Sequence, residues 1–329
     1  MPDPSDHLLV TGGAGFIGSH TCHALLARGC RVTALDNFDP FYDRSLKEHN
    51  VGMLAAAGTD RFQFVEADIR RAPEMQQLFQ AVRPTAVIHL AARAGVRPSI
   101  THPALYAQVN LEGTINLLEA ARQCDSVARF VQASSSSIYG NNSKVPFAET
   151  DPVEDPISPY AATKRAVELI AHTYHHLYDL PIASLRFFTV FGPRQRPDLA
   201  IAKFIRMIDQ GQPIPVFGDG ATSRDYTYID DIVEGVLSAC DRITDHGERV
   251  WNLGGNSPVT LSAMIATIAE ALGREPIIDR QPLQPGDVTR TWADLSRSGS
   301  ELAYSPRTRF KDGIARQVDW YRALHSPLA

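Results

Sequence analysis

Apolar positions along the first 190 residues fall into two recurring patterns. Short apolar runs occupy 7–10, 31–35, 61–65, 86–90, 129–133 and 182–187. Longer stretches between them, such as 15–28, 110–123 and 160–177, carry apolar residues at helical spacing. The short runs suit strands buried on both faces; the longer ones suit helices with one covered face. Strands separated by helices of this length make βαβ units, so the pattern predicts a doubly wound parallel sheet in an α/β fold. Past residue 190 the alternation breaks down, and Pro193, Pro197, Pro213 and Pro215 interrupt the chain. There, 231–240 reads as a helix and 250–253 as a strand able to return to the first sheet, while 262–272 and 311–323 read as helices of a smaller unit. The expected division places residues 1–190 and about 228–257 in one domain, and 191–227 with 258–329 in a smaller α/β C-terminal domain.

Composition narrows the function classes. Hydrophobic residues make up 44% of the 329 and charged residues 21%, enough apolar surface to offset chain entropy and exclude disorder. A net charge of −5 argues against a nucleic-acid binder, which needs a basic surface. Cys22, Cys30, Cys124 and Cys240 show no Cys-x-x-Cys spacing, so neither a zinc site nor a disulfide framework is expected, only buried thiols. Residues 1–6 lack a basic region followed by an apolar one, and no run reaches the ~18 apolar residues of a membrane span. The expected location is the cytoplasm, with no membrane partner. His172, His175 and His176 share a helical face without carboxylate or thiolate neighbours in the pattern, so that face reads as solvated and no metal is expected.

The candidate chemistry begins at residues 8–18, Leu-Leu-Val-Thr-Gly-Gly-Ala-Gly-Phe-Ile-Gly, which read as strand, turn and helix start. Gly12, Gly15 and Gly18 permit a tight turn. Phe16 and Ile17 open a helix whose first N–H groups suit a pyrophosphate. The next strand ends at Asp36, where a carboxylate accepts from an adenosine ribose 2′-OH and repels a 2′-phosphate. The expected cofactor is therefore NAD, on a Rossmann-type sheet. Asp68 and Ile69 follow the third strand, where the aspartate suits the adenine amino group or a helix N-cap. Leu90, Ala91 and Ala92 leave room for close cofactor approach at the end of the fourth. Ser134–Ser137 follow the 129–133 run, at the sheet edge where α/β proteins bind ligands. Ser158 suits an N-cap and Pro159 a first turn, which puts Tyr160 and Lys164 on one helical face. A nearby ammonium and a cationic ring favour phenolate, so Tyr160 is expected to titrate below its usual value of ~10 and to act as a general base.

Together these motifs resemble the extended short-chain dehydrogenase/reductases, and within them the nucleotide-sugar epimerases. The resemblance rests on Thr-Gly-Gly-Ala-Gly-Phe-Ile-Gly at 11–18, the set Ser135, Tyr160 and Lys164, and Arg-Asp-Tyr-Thr-Tyr-Ile-Asp-Asp at 224–231. Segments 35–47, 94–97, 186–200 and 284–288 are most similar to the UDP-glucuronate 4-epimerases. One departure is Arg93, where an uncharged residue such as glutamine is expected.

The resemblance implies NAD that stays bound, a UDP-sugar substrate and a homodimer built through helices 110–123 and 160–177. It implies that Asn37, Asn110, Ala133 and Phe187 join Tyr160 and Lys164 in the cofactor site. Tyr160 would act as base on the sugar 4-OH, with Ser135 on the same oxygen and Lys164 on the nicotinamide ribose. Ser136, Ser137, Thr189 and Arg196 would hold a uronic carboxylate, while Arg97, Arg224, Asp287 and Arg290 would serve the nucleotide sugar. Serines at 136 and 137, where dehydrating and decarboxylating relatives carry acids, disfavour those reactions. Threonine at 189 disfavours a UDP-glucose epimerase, which remains the alternative. A non-catalytic NAD-binding protein is disfavoured because both Tyr160 and Lys164 are present. Asp230 and Asp231 read as a helix N-terminus.

Overall fold

The structure, a computed structural model, describes residues 6–282 and 288–325. Its centre is a seven-stranded sheet in the order β10-β6-β5-β4-β1-β2-β3. These strands are β1 (His7–Thr11), β2 (Arg31–Asp36), β3 (Phe62–Glu66), β4 (Ala86–His89), β5 (Arg129–Ser135), β6 (Ile182–Phe187) and β10 (Glu248–Leu253). Every pairing among them is parallel. The sheet is doubly wound: order runs outward from β1 in both directions, and the switch point lies beside β1. Alternate side chains enter opposite cores. Leu8 and Val10 pack on one face, and Leu9 with Val87 and Phe130 on the other. That two-sided burial is why the runs are continuously apolar.

The covering helices are α1 (Phe16–Ala27), α2 (Arg44–Gly58), α3 (Ala72–Val82), α6 (Gly113–Arg122), α7 (Pro159–Tyr178) and α9 (Ile229–Arg242). Between β4 and α6 lie two short helices, α4 (Val96–Thr101) and α5 (Pro103–Tyr106). The C-terminal part holds β7 (Thr189–Phe191), α8 (Ala200–Asp209), β8 (Ile214–Phe217) and β9 (Ser223–Tyr228). It continues with β11 (Pro258–Thr260), α10 (Leu261–Leu272), β12 (Ile278–Gln281), α11 (Ser296–Leu302) and α12 (Phe310–His325). Strand β9 pairs with β7 and β11, and β8 pairs with β12.

Two boundaries differ clearly from expectation. Arg61 belongs to a 3₁₀ turn, and β3 starts at Phe62. The expected helix at 110–123 begins as a wide π turn, Ala107–Glu112, before α6. That turn carries Asn110, whose amide reaches both backbone polar groups of Arg93 at 2.8 and 3.0 Å. Helices α2, α3 and α8 were not predicted; in α8, Ile201, Phe204, Ile205 and Ile208 do form one buried face. Asp230 and Asp231 stand in the first turn of α9, and Asp231 accepts from the backbone of Arg307 and Thr308. All four cysteines are buried thiols. His175 turns its ring to the Leu180 carbonyl and His172 lies near Glu248, and no metal-ligating cluster occurs among the described residues.

Two histidines are locked in neutral form. His89 at the end of β4 bridges Thr11 and Thr114, at 2.7 and 2.9 Å. His20 on α1 holds the Pro193 carbonyl at 2.9 Å beside Arg194. Burial pushes both down to about 3. In the unfolded chain they titrate near ~6.5. Their contribution to stability is therefore complete above pH ~6.5 and is lost as pH falls towards 3. Urea unfolding across pH 4–7, about the window of those values, should show falling stability, with a flatter slope in His89→Gln. Parallel slopes for the two proteins would rule His89 out as a source of the acid sensitivity.

Candidate active site

A cavity of about 520 Å³ runs along the carboxyl edge of the central sheet, within the size range of small-molecule sites. Its floor begins at the β1–α1 turn. Gly12 has φ +70°, and a Cβ there would meet the Ala91 nitrogen at 2.8 Å. A Cβ on Gly18 would lie 2.0 Å from the Gly12 carbonyl oxygen, so strand, turn and helix meet closely only through glycine. Gly15 caps α1 without any side-chain hydrogen bond, and the first turn of α1 carries no acid. Its N–H groups therefore face the cavity with the positive end of the helix dipole. This fits a dinucleotide pyrophosphate.

Asp36 ends β2 at the same cavity and is 7% exposed. Its carboxylate accepts from Phe38 N at 2.9 Å and lies 3.6 Å from the equally buried Lys47 Nζ. Burial raises its pKa and the Lys47 ammonium opposes the rise. Gly12, Gly15, Phe16, Ile17, Gly18, Asn37, Asp68, Ile69, Leu90, Ala91, Ala92, Ala133 and Phe187 all line this cavity. Asn110 is not among its lining; it is committed to Arg93 and to Thr163 Oγ1, at 3.1 Å. Asp68 is no helix cap, because α3 starts later; it binds Arg70 at 2.6 Å and Asn37 at 3.2 Å. Those bonds hold its carboxyl down at about 2.

At the other end, β5 delivers Ser134 and Ser135, and a 3₁₀ turn carries Ser136 and Ser137. Ser135 Oγ accepts from Ser137 Oγ at 2.9 Å. Ser158 caps α7 through the Ala161 N–H at 3.2 Å, which sets Tyr160 and Lys164 one turn apart on the cavity wall. Lys164 Nζ donates to the Ala133 carbonyl at 2.7 Å. Burial lowers Lys164 to about 8, with Glu168 opposing. The expected lowering of Tyr160 is not found in the protein alone: burial raises its pKa, while a hydrogen bond with Ser135 and the Arg196 charge pull it down. Desolvation of a phenolate outweighs two favourable neighbours here, so further positive charge is needed before Tyr160 can serve as a base.

Thr189, at the start of β7, and Arg196, in the following loop, line the cavity beside the serines. Arg196 grips Asp198 with two bonds, at 3.0 and 2.6 Å. Arg224 on β9 also lines it, whereas its neighbour Asp225 is structural, accepting from Gly255, Asn256 and Ala293 N–H groups. Arg97 and Arg290 are not among the lining residues. Arg97 stacks on Phe217 at 4.9 Å, and Arg290 donates to the Ser143 carbonyl at 2.9 Å. Asp287 lies outside the described residues. Asp39, Phe41, Tyr42 and Lys47 belong to the cavity wall and were missed. They fall in the 35–47 segment that carries the resemblance, in a loop and helix start whose pattern assigns them no role.

Behind this wall, Glu168 on α7 accepts from Ser134 Oγ at 2.6 Å and from Arg186 Nε and Nη2, both at 2.9 Å. Arg186 in turn donates to Tyr139 Oη at 2.9 Å.

Comparison with known proteins follows this geometry closely. A family model described as GDP-mannose 4,6 dehydratase matches residues 9–317. A probable UDP-glucuronate 4-epimerase from Rhizobium meliloti is 40% identical over 95% of this chain and 96% of its own. The crystal structure of UDP-glucuronic acid 4-epimerase from Bacillus cereus, in complex with UDP-glucuronic acid and NAD, is 36% identical. It superposes with a TM-score of 0.89 over 97% of this chain and 100% of that one. A UDP-glucose 4-epimerase from Thermotoga maritima with UDP-glucose is 32% identical, with a TM-score of 0.86 over 97% and 99% of the two chains.

The buried ion pair behind the site has a measurable consequence. Glu168→Gln leaves the Arg186 guanidinium without its counter-charge, a loss of about 3–5 kcal/mol for pairs of this kind. Urea unfolding of the variant against the parent reads it directly. A change below about 1 kcal/mol would mean that Tyr139 and the backbone suffice to hold Arg186.

Proposed function

The chain belongs to the GDP-mannose 4,6 dehydratase family of extended short-chain dehydrogenase/reductases, and from that premise we propose NAD-dependent 4-epimerisation of a UDP-sugar, converting UDP-glucuronate to UDP-galacturonate through a 4-keto intermediate. The observation that carries it is one cavity lined by Ser135, Tyr160 and Lys164 next to Thr189 and Arg196. Residues 1–190 with about 228–257 serve the cofactor, and 191–227 with 258–329 the nucleotide sugar.

When bound, NAD supplies a hydride acceptor and donor, chemistry no side chain can provide. Tyr160 takes the proton from the sugar 4-OH and returns it once the ketone has been reduced on its other face. Ser135 hydrogen-bonds the same oxygen in both directions. Lys164 would contribute positive charge one turn from Tyr160 and hold the cofactor ribose. A 4-keto uronate is a β-keto acid and loses carbon dioxide when its C–C bond aligns with the ketone π system. Ser136, Ser137 and Thr189 donate to the carboxylate and Arg196 adds a charge-assisted bond, holding that bond out of alignment. Arg224 serves the nucleotide side.

The assembly we assign is a homodimer through α6 and α7, where Leu169 and Leu177 stand 52% and 64% exposed. We place the protein in the cytoplasm, a reducing compartment that suits four buried thiols. No helix among the described residues is long and apolar enough to cross a membrane.

Two substitutions test the reading. Tyr160→Phe should keep NAD and lose turnover on the order of 10²–10⁴-fold; activity within a few-fold of the parent would place the base elsewhere. Arg196→Ala should cut kcat/KM for UDP-glucuronate by about one to two decades, the value of one lost charge-assisted bond. UDP-glucose should suffer far less, and mass analysis should reveal a trace of 4-keto-pentose. Equal losses for both sugars with no decarboxylated product would favour a neutral-sugar epimerase instead.

A further inference from the structure

Arg93, the residue that departs from the expected pattern, has a place no catalytic role explains. It follows β4, and Asp39 follows β2; in the sheet, β1 lies between those two strands. Arg93 Nη1 nevertheless donates to Asp39 Oδ1, so the two side chains meet across the carboxyl end of β1. That is where the Gly12–Gly18 turn presents its N–H groups. The anchor is rigid, since Asn110 holds both backbone polar groups of Arg93. Asp39 is fixed too, accepting from Phe41 N at 3.0 Å. The guanidinium of Arg93 lies 4.8 Å from the Phe41 ring centroid, and that of Arg196 lies 4.7 Å from it. Arg93, Asp39 and Phe41 all line the cavity beside the glycine turn.

We propose that Arg93 and Asp39 form a strap over the pyrophosphate of the bound dinucleotide, and that this strap retains the cofactor. Phe41 ties the strap to Arg196, so the cofactor side and the sugar side of the cavity share one cover. The proposal rests on NAD as occupant of this cavity and is independent of which sugar the enzyme takes.

The test measures NAD release from the purified holoenzyme, by chase of labelled NAD, in the parent, Arg93→Gln, Asp39→Asn and the double variant. Thermal unfolding of each protein checks that it remains folded. Each single variant should release NAD about tenfold faster or more, the effect of losing one charge-assisted bond. The double variant should release no faster than the faster single one, because both remove the same strap. Release at the parental rate in either single variant would overturn the proposal. Protein purified without any NAD would instead defeat the cofactor assignment beneath it.

Discussion

The Glu168–Arg186 ion pair is the contact on which the site depends. Glu168 sits one turn beyond Lys164 on α7, Arg186 sits on β6, and Ser134, bonded to the same carboxylate, sits on β5. One buried carboxylate thus joins the helix that carries Tyr160 and Lys164 to the two strands whose ends carry Ser135 and lead to Thr189. Both side chains are almost wholly removed from water, at 1% and 3% exposure. Apolar replacements can stabilise a core as well as such a pair does. What they cannot do is fix the rotation of α7 against β5 to the precision a proton transfer requires. The 2.7 Å bond from Lys164 to Ala133 depends on that rotation.

The same dryness governs the electrostatics. Burial acts in opposite directions on the two groups proposed for catalysis, raising Tyr160 and lowering Lys164 to about 8. Both shifts disfavour the charged form, yet Lys164 at about 8 stays mostly protonated at neutral pH while Tyr160 stays a neutral phenol. Arg196 supplies one positive charge near Tyr160, and Asp198 compensates it. A cationic cofactor ring would enter a pocket where little water screens it and would therefore act strongly on the phenol. In this reading a bound dinucleotide would supply the redox chemistry, and its charge would favour the Tyr160 phenolate.

Much of the fold was legible because parallel strands buried on both faces leave an unmistakable apolar signature. Strands 7–10 and 182–187 matched to within a residue. Two of the unexpected helices, α2 and α3, are half-exposed surface helices whose polar content masks their period. At the site, the glycine turn, Asp36, Ser135, Tyr160 and Lys164 were readable because each chemistry demands a residue type at a fixed distance from a strand end or helix cap. Arg97 and Arg290 were assigned by likeness, and they engage Phe217 and Ser143 instead.

By itself, the amino-acid sequence determined the strand and helix segments, the glycine turn and the Tyr-x-x-x-Lys face, all set by patterns within a few residues along the chain. Tertiary structure alone decided which distant loops meet above them. Arg93 reaches Asp39 across β1 because the sheet order sets β4 and β2 on either side of it, and Lys47 reaches Asp36 because α2 folds back over the end of β2. It also decided the sign of the Tyr160 shift, since desolvation depends on everything packed around the ring rather than on the lysine four residues away.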